Sequence, residues 1–133
     1  MLRRFRAEEP KLQHIFRFQD GPIIVICPDA PEEVRGALAK EDDPNFTKLQ
    51  QYGDLDALIQ LYGHLCAENP NLDVFHKLAS EVVPDDYAGH VILLGGIGWN
   101  KEGRRIGKYL GKIPVEQIDV TDLPGGDIFQ VEA

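Results

Sequence analysis

The stretch His90-Val91-Ile92-Leu93-Leu94-Gly95-Gly96-Ile97-Gly98-Trp99-Asn100-Lys101 decides the fold class. Its first five residues are an apolar run without polar alternation, the signature of a strand covered on both faces. The strand runs straight into glycines, and Lys101 to Leu110 then carries a helical pattern. A buried strand followed by a glycine corner and a helix is the repeating unit of α/β proteins, because parallel strands need crossover connections.

Upstream, Ile23-Ile24-Val25-Ile26-Cys27 is a second buried run, ended by Pro28-Asp29, and it reads as the first core strand. Leu55, Leu58, Ile59, Leu61, Tyr62 and Leu65 fall at helical spacing, with Asp54 placed to cap the helix and Asp56 in its first turn. That helix should end near Asn69-Pro70. Leu72 to His76 reads as a further strand, and Leu78 to Val83 as a short helix stopped by Pro84. Pro31-Glu32-Glu33 resembles a helix start, and the polar stretch Glu41 to Gly53, broken by Pro44, reads as a surface connection of the kind that covers sites. His14 to Phe18 alternates before Asp20-Gly21, as an edge strand or a lead-in would. Downstream, Pro114 to Asp119 is a strand candidate, Pro124-Gly125-Gly126 a turn, and Asp127 to Val131 a terminal edge strand. These elements predict a three-layer α/β sandwich with a mainly parallel, Rossmann-like sheet and an antiparallel edge strand. One domain spans 1–133, with 1–12 as a basic and acidic N-terminal segment free to be flexible.

Composition bounds the function. The chain has 133 residues and a formal charge of -8, from 22 Asp and Glu against 14 Lys and Arg. Such a balance disfavours general binding to nucleic acid or to anionic membranes. No apolar run reaches membrane-spanning length, and the basic start continues into Glu8-Glu9-Pro10 rather than an apolar signal region. Cys27 and Cys66 belong to no CxxC pair and read as buried, reduced thiols of a cytoplasmic protein. His64, His76 and His90 lack metal-ligand spacing, and no cofactor motif is present. The charge is unevenly placed. Lys101, Arg104, Arg105, Lys108 and Lys112 cluster with only Glu102 among them, beside the glycine corner.

In open parallel sheets, ligands bind beyond the carboxyl ends of the strands where strand order reverses. Cys27-Pro28-Asp29 and Leu94 to Asn100 are the two strand ends that qualify. Gly95, Gly96 and Gly98 let backbone N–H groups approach a phosphate or ribose, and Lys101, Arg104 and Arg105 add charge near a helix N-terminus. Asn100 is placed to cap that helix or to bond a ligand, and Trp99 to stack on a base or to pack. Asp29 would reach a ribose hydroxyl or serve as a turn residue. Gly103, Gly107 and Gly111 recur at four-residue spacing, which predicts a helix face packed closely on a strand or ligand. Gly98 to Gly103 has the gap of a P-loop but is followed by Arg104-Arg105, which disfavours triphosphate hydrolysis. The first strand lacks the dinucleotide fingerprint, and no GxSxG elbow is present.

The run Gly95-Gly96-Ile97-Gly98-Trp99-Asn100-Lys101-Glu102 resembles the PGGxGTxxE motif of the lysine-decarboxylase-like nucleotide phosphoribohydrolases, and more broadly the SLOG group of nucleotide-sensing domains. The resemblance implies nucleotide phosphate binding at the glycine loop and a role for Glu102 at the glycosidic bond. Leu94 stands where that motif has Pro and Trp99 where it has Thr, and a counterpart of the family's catalytic Arg motif is missing. Three expectations follow. The first is a binding or sensing domain for a small anionic ligand, a nucleotide or nucleotide-derived signal, that passes its state to an effector. The second is an N-glycoside-cleaving hydrolase with Glu102 as its catalytic group and Asp29 or Asp54 positioning the ribose. The third is an interaction module that forms a homodimer through the terminal strand.

Overall fold

The computed structural model describes residues 15–111, 115–118 and 128–131. At its centre lies β1 (Ile23–Cys27), buried along its whole length. Strands β2 (Val74–Leu78) and β3 (His90–Leu93) pair with it in parallel on either side, giving the order β2-β1-β3. Ile23 lies opposite Val74 on one side and His90 on the other, and Cys27 opposite Leu78. An unalternating apolar strand suits this place, because both of its faces are covered.

Ile23, Val25 and Cys27 face helix α1 (Leu55–Glu68) and pack with Leu58 and Leu65. Ile24 and Ile26 face the other way, toward Ala79, Val82 and Tyr87. These last residues belong to or adjoin two short 3-10 segments, Ala79–Glu81 and Pro84–Ala88. Helix α2 (Lys101–Gly107) joins that layer, with the Tyr87 hydroxyl donating to Glu102 and Arg105 lying 5.2 Å from the Tyr87 ring centre. The chain is therefore an α/β sandwich of three layers: α1, the parallel sheet, and the 3-10 segments with α2.

The antiparallel strand expected at the chain's end is β5 (Ile128–Val131), and it pairs with β4 (Val115–Ile118) in a separate two-stranded ribbon. The parallel sheet is thus bounded by β2 and β3. Strand β2 starts later than the sequence pattern suggests and runs to Leu78, so the helix expected from Leu78 to Val83 shrinks to the single turn Ala79–Glu81. The helix start at Pro31 is likewise only the turn Glu32–Val34. Residues 15–18 form a lead-in without strand structure. Asn69 holds them down: its Nδ2 donates to the Phe16 carbonyl at 2.7 Å, and its Oδ1 accepts from the Phe18 N–H at 2.8 Å. Cys27 is buried as expected, whereas Cys66 is exposed, because it lies on a face of α1 turned away from the sheet. Segment 1–12 and the turn 124–126 lie outside the described residues. No helix among the described residues is long and apolar enough to cross a membrane.

Candidate functional site

The chain leaves β1 toward β2 on one side and comes back as β3 on the other, so strand order reverses between β1 and β3. The glycine loop emerges at this point. Leu94 N–H extends the ladder to the Ile26 carbonyl at 2.9 Å, and Gly95 then takes φ +80°, a left-handed conformation that glycine enters without steric cost. Asn100 closes the corner. Its Nδ2 donates to the carbonyls of Ile26 (3.0 Å) and Leu94 (2.7 Å), and its Oδ1 accepts from the Gly103 N–H at 3.0 Å. The side chain is fully buried. Asn100 therefore ties two strand ends together and caps α2, with both side-chain polar atoms engaged.

Pro28 forms the floor of this corner. A Cβ on Gly53 would sit 3.0 Å from Pro28 Cγ and 3.2 Å from Trp99 Cε3, and one on Gly95 would sit 3.1 Å from Pro28 Cγ and collide with the Asp54 carboxylate. The close approach that glycine permits is therefore found at Gly53 and Gly95. It is not found on α2, where a Cβ at Gly107 would meet nothing within 4 Å and one at Gly103 only the Asn100 side chain at ordinary contact distance. The helix itself stops at Gly107, short of Leu110, as its poor glycine propensity allows.

Asp54 precedes α1 as expected, yet its side chain makes no capping hydrogen bond. Its backbone is left-handed, φ 53° and ψ 37°, the one positive φ at a non-glycine among the described residues. That conformation costs an L-residue roughly 1 kcal/mol, less for Asp than for most. The carboxylate is directed to the glycine loop instead. There it joins Gly96, Gly98, Trp99 and Gln117 around a crevice of about 300 Å³. Gln117 reaches in from β4, its Oε1 accepting from the Ile97 N–H at 3.0 Å. Trp99 is 47% exposed. The Cys27 thiol lies behind the corner, pushed up to about 12 by burial and then by the charge of Asp54, so it stays protonated and is no nucleophile near neutral pH.

The remaining candidate residues lie elsewhere. Asp29 accepts from the Ser80 hydroxyl (2.5 Å) and the Ser80 N–H (3.0 Å), which fixes the turn after β2. Glu102 accepts from the Tyr87 hydroxyl and from Arg105 Nε at 2.9 Å, and the Arg105 bond holds its carboxyl below the usual range. These groups line a second cleft of about 310 Å³ with Val82, Val83 and Pro84. Arg104 donates from Nε to the Ile97 carbonyl at 3.1 Å and lines, with Lys108 and the α2 glycines, a groove of about 820 Å³ facing the β4-β5 ribbon. Lys101 is exposed at the start of α2. Gly95, Gly96, Gly98 and Trp99 are thus brought together and Arg104 bonds the loop at the Ile97 carbonyl, while Glu102, Arg105 and Asp29 are held by other partners.

Gln117 is the lining residue the sequence pattern does not reveal, since only folding places β4 beside a loop some twenty residues upstream. Among the described residues no three His, Cys, Asp or Glu side chains gather as a metal ion requires. A carboxylate, a carboxamide and a half-exposed indole around a glycine-walled crevice suit binding by hydrogen bonds and stacking. No protein-family model, curated protein or solved structure matches the chain.

Proposed function

We propose that the domain binds a small nucleotide-derived molecule in the crevice at the carboxyl ends of β1 and β3. The observation that carries this is the crevice's position and lining: it opens at the reversal of strand order, between a positive-φ glycine loop and a carboxylate to which none of the described residues donates. Its volume is at the lower end of small-molecule sites and admits a group of nucleoside size. Trp99 offers a ring face for a base, and the Asp54 carboxylate offers acceptors. A signalling role fits better than hydrolysis, because Glu102 is held by Tyr87 and Arg105 in the other cleft.

Isothermal calorimetry with nucleosides and with mono-, di- and cyclic nucleotides tests the proposal. Saturable one-to-one binding by at least one of them is expected, lost in Trp99→Ala. Absence of heat with the whole panel contradicts the proposal.

A further inference from the structure

We propose that Asp54 recognises the sugar hydroxyls of the ligand, so that the crevice selects a ribosyl group and leaves any phosphate outside the glycine loop. The inference rests on the crevice being a ligand site, and it reverses the orientation that a glycine loop beside a basic helix suggests. Among the described lining residues Asp54 is the one charged group. An ionised carboxylate only accepts hydrogen bonds, and none of the described residues donates one to it. A vicinal diol offers two O–H donors at the spacing of two carboxylate oxygens, and such charge-assisted bonds are the stronger kind.

A phosphate in the same place would be repelled by Asp54, and several of the groups that could hold it are already engaged. The N–H groups of Gly103 and Arg104 at the start of α2 bond the side chain and carbonyl of Asn100. Arg105 is paired with Glu102. Helix α2, at seven residues, adds little dipole of its own. Trp99 remains for the base.

Calorimetry with the four ribonucleosides, their 5′-monophosphates and their 2′,3′-dideoxy forms, on the wild type and Asp54→Asn, tests this. Asn keeps the size of Asp and tolerates the left-handed backbone, so the corner is preserved. Asp54→Gly, which relaxes that backbone, is the second variant. In the wild type, the best ribonucleoside and its monophosphate should bind within about threefold of each other, and the dideoxy form roughly tenfold or more weakly. In both variants the hydroxyl dependence should fall to about threefold or less. Equal wild-type binding of ribo and dideoxy forms, a monophosphate preferred by about tenfold, or a hydroxyl dependence that survives in both variants overturns the role of Asp54 while leaving the site standing. No binding by any compound overturns the site and the inference together.

Discussion

Two polar residues at helix starts, Asp54 and Asn100, share a sequence context and do different things. Asn100 does what its place before α2 suggests, accepting from the Gly103 N–H, and adds two bonds that join the ends of β1 and β3. Its replacement by Ala would leave the Leu94 carbonyl and the Gly103 N–H without these partners and the Ile26 carbonyl with only the Leu94 N–H, in a buried corner. Asn100→Ala should therefore cost about 3 kcal/mol in chemical denaturation, well above the loss of a cap alone. A loss near 1 kcal/mol would show that water replaces those bonds. Asp54 has the capping residue type and position but a left-handed backbone that turns its carboxylate toward Gly95. Residue type alone does not distinguish the two cases. Backbone dihedrals decide which way a short polar side chain points, and at Asp54 they are left-handed beside the close approach of Gly53 and Gly95 to Pro28.

At the scale of elements, β1, β3 and α1 are legible from their apolar patterns, although β3, read as covered on both faces, is only half-buried along its length because it has a paired strand on one side among the described residues. The register of β2 is less so. Val74, Phe75, His76, Lys77 and Leu78 neither alternate cleanly nor form an apolar run, and their limits follow from pairing with β1. The glycines of α2 mislead in the opposite sense. Their four-residue spacing suggests close packing, yet Gly103 and Gly107 line an open groove. Since a Cβ at Gly103 would meet only ordinary contacts with Asn100, Gly103→Ala should stabilise the domain by roughly 0.5–1 kcal/mol through helix propensity. Thermal unfolding checks this. A destabilised Gly103→Ala would mean that the glycine face is needed against another surface.

For the whole molecule, the basic stretch of α2 stands out in the sequence against a net charge of -8, and from it comes the expectation of a small anion beside the glycines. Folding redistributes that charge. Arg105 pairs with Glu102 on the side of the 3-10 segments, and Arg104 reaches back to the Ile97 carbonyl, so the crevice itself is lined by a carboxylate. The sequence names the glycine corner as the candidate site, and the fold forms a crevice there. Gln117 is not legible there because it arrives from β4, and Asp54, which the sequence names for a ribose, lines the crevice only because the fold brings the start of α1 beside the glycines. Binding of a nucleoside-bearing ligand at this corner, as proposed, would be reported by Trp99, the single tryptophan of the chain. Its fluorescence, excited at the red edge and corrected with free tryptophan amide, should be quenched saturably as ribonucleosides and nucleotides are titrated, with the same affinity as calorimetry. Unchanged fluorescence across the panel, or quenching that matches the free amide, would contradict the claim.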